Sequence, residues 1–279
     1  MIPYFEPVAF QFGPIPIHLF GILVATGILL GVRQVVKRGE QLGLAAEDTA
    51  SMTTWAIITG FLVSHVFDVL TYQPGTLLEG PWWKALLHLV NPADGISSFG
   101  GFLGALIGIL VWVARRRAHA SDGASKPSLL ANLDAAAYGG VTGWFFGRLG
   151  CFSAHDHPGL PTHFFLGVDY GPHFPGGVRH DLGLYEAIFT LGLMIAFRLL
   201  ARRAHPAGFY LALVGVSYAP VRFGLDFLRV ADERYFGLTP AQYGSIGLFV
   251  VGVAMMAWLQ RARSPFAETP APSLPSPTP

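Results

Sequence analysis

Apolar blocks of roughly 18 or more residues recur along the chain, each about long enough to cross a hydrocarbon core near 30 Å thick. Backbone in lipid must satisfy its own hydrogen bonds, so these blocks are helices and not open strands. They read as spans over 16–34, 50–72, 97–114, 131–152, 183–201, 207–228 and 241–260. Composition agrees: 52% of the residues are hydrophobic and 13% charged, against about 25% charged in a soluble domain. The expected fold is an all-α integral membrane bundle of about seven transmembrane helices.

Basic residues orient such a bundle. Arg33, Lys37 and Arg38 follow the first span, and Arg115, Arg116, Arg117 and Lys126 follow the third. Arg198, Arg202 and Arg203 close the fifth, and Arg261 and Arg263 the last. These are twelve of the 18 basic residues, and the side that holds them is expected to be cytoplasmic. An outside N-terminus and a cytoplasmic C-terminus then require an odd number of spans. The first fifteen residues lack a basic start, so no cleavable leader is expected.

On the other side, residues 73–95 carry Pro81, Trp82 and Trp83 and suit an interfacial segment with an aromatic anchor. Residues 153–182, rich in His, Pro and Gly, read as a small periplasmic cap. One domain is expected over 1–263, followed by a disordered Pro- and Ser-rich tail over 264–279. No internal repeat is visible, which weakens the commonest transporter architecture. A net charge of +1 gives no reason to expect nucleic acid.

Arginine inside a span is expensive and is usually functional. Arg148 lies near the outer end of the fourth span. Arg222 lies in the sixth, with Tyr218 four residues before, Asp226 four after, and Arg229 one further turn along. That spacing puts Tyr218, Arg222 and Asp226 on one helical face. A purely structural Arg222–Asp226 pair is one reading. The other is that two arginines at similar depth converge on one anion, which guanidinium groups bind through paired hydrogen bonds. In a membrane the obvious anion is a phospholipid phosphate.

Other polar groups surround these. Glu186 and Tyr185 sit just inside the fifth span, after His180 and Asp181. His18 and His65 are expected within the first and second spans, where helix–helix hydrogen bonding is the ordinary role. Asp156 lies between His155 and His157, a run without a strong metal-ligand spacing, and no metal is expected. Cys151 is the single cysteine; it reads as a small hydrophobe or as a nucleophile activated by Arg148. The stripes Gly100, Gly104, Gly108 and Gly139, Gly143, Gly147 read mainly as helix packing.

In this order the motifs resemble the prolipoprotein diacylglyceryl transferase family, from about Pro14 to Arg263. Gly147-Arg148-Leu149-Gly150-x-Phe152, with Asp156 and Gly159 after it, matches the family signature except at Cys151. His180-x-x-x-Leu184-Tyr185-Glu186 matches a second motif, and Tyr218-x-x-x-Arg222-x-x-x-Asp226 with Arg229 a third. His18-x-x-Gly21 and Gly100-Gly101-x-x-Gly104 match two more. Phe20 stands where the family has tyrosine, Phe99 where it has histidine, Cys151 where it has asparagine, and His65 where arginine is usual.

The resemblance implies transfer of a diacylglyceryl group from phosphatidylglycerol to the lipobox cysteine of a preprolipoprotein signal peptide, releasing glycerol 1-phosphate. It implies no cofactor and places the protein in the bacterial inner membrane. It assigns catalysis to Arg148, Arg222, His180, Asp156, Tyr218 and His18. Substrate binding falls to Arg148, Arg222, Gly159, Glu186, Asp226, Gly100 and Gly101. His18, His65, His155 and His180 remain alternatives for the proton acceptor. The competing reading is an altered paralogue that binds or transports a phospholipid or related metabolite. A shared cavity holding Arg148, Arg222, Tyr218, His180 and Glu186 is expected near the outer leaflet.

Overall fold

The computed structural model describes residues 1–13, 15–72, 75, 81–91, 95, 97–119, 128–173, 176–230 and 234–263. Lys126, the tail from Ser264, and most of 73–80 lie outside the described residues. The chain divides into two compact units, Met1–Ala207 and Gly208–Pro279.

The first unit holds α1 (Leu19–Gln41), α2 (Ala46–Tyr72), α3 (Trp82–Val90), α4 (Ser98–Ala118), α5 (Leu129–Ala154) and α6 (Leu182–Leu200). The second holds α7 (Phe209–Leu225), a 3₁₀ turn (Asp226–Leu228) and α8 (Pro240–Arg263). Among the described residues, α1, α2, α4, α6, α7 and α8 are long and apolar enough to cross a membrane. This is a multi-pass membrane protein. The 26-residue α5 is also long enough, but Asp134, Arg148 and its glycines dilute its apolar character. Outward faces are apolar, with Leu29 73%, Leu62 62% and Val251 61% exposed, as lipid-facing positions should be.

Small residues set the helix packing. A Cβ on Gly139 would come within 2.5 Å of the Val35 backbone nitrogen, so α5 crosses α1 with backbones nearly touching. Gly104 does the same for α4 on α2, where a Cβ would lie 2.4 Å from the Thr59 carbonyl oxygen. Val35, Met52, Ala56, Ile109, Trp112, Val113 and Ala135 form the core joining these four helices. It lies toward the end that carries the basic clusters.

That end also holds a buried ion pair that the sequence reading missed. Arg38 donates from Nη2 to Asp134 Oδ2 at 2.8 Å and from Nε at 3.0 Å. It also donates to the carbonyl of His205 at 3.0 Å. The Arg38 and Asp134 side chains are 4% and 0% exposed, so Arg38 is an interior charge.

The first helix begins at Leu19, three residues after the expected start at 16. Residues 15–18 instead form β3 (Ile15–His18), paired antiparallel with β2 (Ala9–Phe12). Pro16 explains the shift, because proline disfavours helix at the residue before it and lacks an N–H. Gly13, at φ +61°, helps turn the hairpin.

The expected cap is a small sheet that also recruits the first residues of the chain. Its strand order is β1 (Ile2–Pro3), β5 (Val168–Asp169), β6 (Val178–Asp181) and β4 (Pro158–Pro161). β1 runs parallel to β5 and the other pairs are antiparallel. Prolines occupy the two edge strands, where a missing N–H costs no ladder bond.

Candidate functional site

Asp181 ends β6 and caps α6, accepting from the Leu184 N–H at 2.8 Å. Tyr170 donates to the other carboxylate oxygen at 3.1 Å, and His155 Nδ1 lies 3.6 Å away. Burial raises the Asp181 pKa, opposed by hydrogen bonds from Leu184, Tyr170 and His155. Burial and the neighbouring carboxylate likewise raise the Tyr170 phenol, which therefore stays a donor. This cluster fixes the entry to α6 and thus Glu186, one turn in.

Glu186 faces Arg148 across the α5–α6 contact, with Nε to Oε2 at 2.7 Å and side chains 9% and 2% exposed. His180 Nδ1 lies 2.8 Å from the Tyr185 hydroxyl, and burial lowers the His180 pKa, which keeps the ring neutral.

Arg148 also lines a cavity of about 390 Å³ between α1, α2, α4 and α5. Its wall runs along one face of α1 from Phe20 to Val35, about 22 Å at 1.5 Å per residue. Met52, Ile109 and Val35 close it toward the basic end, and Arg148, Cys151 and Ser64 stand at the other. Among the described residues on the wall, Arg148 is the one charged group. A long apolar space ending at a guanidinium suits an acyl chain with an anionic head.

The two signature glycines of α4 differ in role. Gly101 lines the cavity. Gly100 faces α2, where a Cβ would come 2.6 Å from Phe67 Cβ. Gly159 is buried in the cap and accepts from Arg179 at 3.1 Å through its carbonyl. His18 is an exposed residue preceding α1 rather than one inside the span, because the hairpin consumes it. His65 is buried, with its ring nitrogens 3.0 and 2.9 Å from the carbonyls of Gly95 and His88. It ties α3 to α2. Phe99 is 64% exposed and packs on Phe67.

Asp156 is exposed and in direct contact with His157 Nδ1. The Cys151 thiol joins them: one ligand atom from each of the three residues lies within 4.8 Å of the others. Adjacency in the sequence groups Asp156 with His155 and His157, whereas the reversal of the chain after α5 returns Asp156 and His157 to Cys151.

In the second unit Asp226 is the organising group. Arg222 Nη2 lies 3.1 Å from its Oδ1, Arg229 Nε lies 4.0 Å from the same oxygen, and Thr239 donates to Oδ2. Thr239 and Gln242 form a capping box at the start of α8: the Thr239 N–H donates to Gln242 Oε1 at 3.0 Å and the Gln242 N–H to Thr239 Oγ1 at 3.1 Å. The Asp226 side chain is 0% exposed and that of Arg222 19%, so the arginine head keeps some access. Tyr218 sits half-buried on the preceding turn.

Lipid-spanning helices, an apolar cavity ending at an arginine, and a second arginine held by a buried carboxylate define a membrane protein built to handle an anionic amphiphile. The chain belongs to the prolipoprotein diacylglyceryl transferase family, whose model matches residues 7–258. It is 32% identical over 282 residues to the phosphatidylglycerol–prolipoprotein diacylglyceryl transferase of Nitratidesulfovibrio vulgaris, covering 96% of this chain and 98% of that one. The enzyme of the same name from Erwinia tasmaniensis is 28% identical over 280 residues, covering 94% of each chain. That of Dehalococcoides mccartyi is 28% identical over 273 residues, covering 92% of this chain and 94% of its own.

Proposed function

We propose that this protein transfers a diacylglyceryl group from phosphatidylglycerol to the lipobox cysteine of a preprolipoprotein, releasing glycerol 1-phosphate. The observation that carries this reading is the apolar cavity that ends at Arg148. An acyl chain occupies the cavity along α1, and the phosphate lies at Arg148. Arg222, held in position by Asp226, is assigned to the stabilisation of phosphate charge. Family membership supports the assignment of lipid and protein substrates, which the relatives' names carry.

The chemistry asks for two things. The thiol sulfur attacks the diacylglyceryl carbon bonded to the phosphate oxygen; a C–S bond forms, the C–O bond breaks, and its electron pair stays on the phosphate. Arg148 and Arg222 stabilise that charge as it grows. The thiol must also lose its proton. Tyr218, His180, Asp156 and His18 are assigned supporting catalytic roles. Gly101 shapes the cavity wall, and Gly100, Gly159 and Glu186 hold the frame around it.

We read α5 as a seventh span, with the N-terminus and the cap outside and the basic clusters in the cytoplasm. The protein belongs in a bacterial inner membrane, and residues 1–263 work as one transferase domain. Membrane transport is the weaker reading, because Val35, Met52 and Ile109 close the cavity with apolar side chains.

Expression in a bacterium depleted of its own transferase tests the proposal. Restored growth and lipid-modified lipoproteins are expected from the wild-type chain and not from Arg222→Ala. Failure of the well-expressed wild-type chain to modify any lipoprotein would overturn it.

A further inference from the structure

We infer that Cys151, Asp156 and His157 form a transition-metal site of the zinc type, open at a fourth position that takes the incoming substrate thiol. The identity of that fourth ligand rests on the transferase reading; the metal site does not.

The chain is built to bring these three side chains together. α5 ends at Ala154, and His155 takes a left-handed conformation at φ +51° and ψ 37°. The His155 N–H donates to the Phe152 carbonyl at 3.2 Å and the Asp156 N–H to the Cys151 carbonyl at 3.4 Å. This C-terminal reversal returns the next two residues to the last turn of α5. The backbone beyond is then fixed. The His157 carbonyl accepts from Leu182 at 3.1 Å, and Pro158 pairs with Asp181 in the sheet.

His155 is committed elsewhere. Its Nε2 lies 3.1 Å from the Phe5 carbonyl, its Nδ1 points at Asp181, and its ring stacks on Tyr4 at 4.7 Å. The donor set is therefore one sulfur, one carboxylate oxygen and one imidazole nitrogen, all within 4.8 Å of one another. Bond lengths near 2.0–2.3 Å place the ligand atoms of a tetrahedral zinc about 3.3–3.7 Å apart. Side-chain rotations of about 1 Å bring the three onto an ion. A thiolate and a carboxylate balance the dication, so the filled site carries no net charge at the membrane edge.

Three protein ligands are the mark of a catalytic rather than a structural zinc. Cys151 lies on the cavity wall that also holds Arg148, which puts the open position beside the phosphate site. Among the described residues lining that cavity there is no histidine, aspartate or glutamate to take the thiol proton. Coordination removes the need for one: the thiol binds as thiolate and its proton passes to water. The bound sulfur attacks the diacylglyceryl carbon, the C–O bond breaks toward the phosphate, and the thioether product leaves the metal as a poor ligand. The metal's oxidation state does not change.

The test uses the full chain in detergent, purified without a histidine tag. Metal content is measured by plasma mass spectrometry, and cobalt is titrated into the chelated wild-type protein. About one zinc per chain is expected, retained in the surface control His163→Ala. Affinity should fall about tenfold or more in Cys151→Ser and His157→Ala. Cobalt in the wild-type chain should show a thiolate charge-transfer band, a reading that does not depend on a variant folding. Transfer from phosphatidylglycerol to a cysteine peptide should stop on chelation and return with zinc. Absence of both zinc and the cobalt band overturns the inference. Should such zinc-free protein still transfer, the Asp156–His157 pair is acting as a base and the transferase reading stands. Zinc bound through Cys151 without transfer under any condition supports the metal site and overturns the transferase reading.

Discussion

Arg148 Nε lies 2.7 Å from Glu186 Oε2, joining the C-terminal end of α5 to the first turns of α6 in a nearly solvent-free contact. The pair explains how a cation is tolerated at the end of an apolar cavity, since its charge is already balanced before a lipid arrives. Removing one member of a buried pair of this kind typically costs about 3–5 kcal/mol. Glu186→Ala should therefore lower the thermal midpoint in detergent and abolish transfer. Arg148→Lys keeps the charge but loses the planar fork, and should fold while losing most activity. Activity and melting measured on the same preparations separate the two effects.

Asp226 gathers Arg222, Arg229 and the Thr239 hydroxyl around one buried carboxylate. Thr239 also belongs to the capping box of α8. Thr239→Val should cost about 1–3 kcal/mol by leaving carboxylate and cap unsatisfied. Arg222→Ala, whose side chain is partly exposed, should change stability less and abolish transfer. Thermal unfolding beside a transfer assay reads both.

Asp181 caps α6 while its burial disfavours its own charge. Its folded-state pKa lies above the unfolded value of about 3.9, so the ionised form costs stability as pH rises through the folded value. Asparagine caps as well as aspartate and carries no charge. Asp181→Asn should be neutral or stabilising at neutral pH, whereas Asp181→Ala should lose about 1–2 kcal/mol with the cap.

His180 titrates in the opposite sense to an ion-paired histidine. Burial lowers its pKa in the folded state, so protons bind the unfolded chain preferentially below about pH 6.5. Stability should be complete above that value and decline as pH falls from it toward the folded pKa. His180→Gln should flatten this part of the curve, which melting at a series of pH values reads directly.

Arg38 and Asp134 provide a second buried pair, at the basic end. Either single alanine variant should destabilise by about 3–5 kcal/mol, and Arg38→Met with Asp134→Leu should recover much of that loss. Neither residue touches the cavity, so transfer by the folded fraction should be unchanged.

Much of this was legible in the sequence, because lipid imposes a length and a polarity that a chain cannot disguise. Helix α5, expected over 131–152, runs over 129–154, and α6, expected over 183–201, runs over 182–200. Arg148, Glu186, Arg222 and Asp226 were visible as charges where charges are costly. The spacing of Arg222 and Asp226 allowed the pair that forms, as one of two readings. Contacts made by irregular backbone were not legible. Nothing in a local pattern says that Ile2 pairs with Val168, that His18 is used up in a hairpin, or that a left-handed His155 folds Asp156 back to Cys151. The Arg38–Asp134 pair was hidden for a related reason: its members lie 96 residues apart, and only the packed helices bring them together.

The most direct measurement incubates the purified chain with phosphatidylglycerol and a lipobox peptide bearing one cysteine, followed by mass spectrometry. The expected result is a diacylglyceryl mass gain on that cysteine with matching release of glycerol phosphate, lost in Arg148→Ala and Arg222→Ala. Intact peptide after incubation with folded, lipid-bound protein would contradict the assignment.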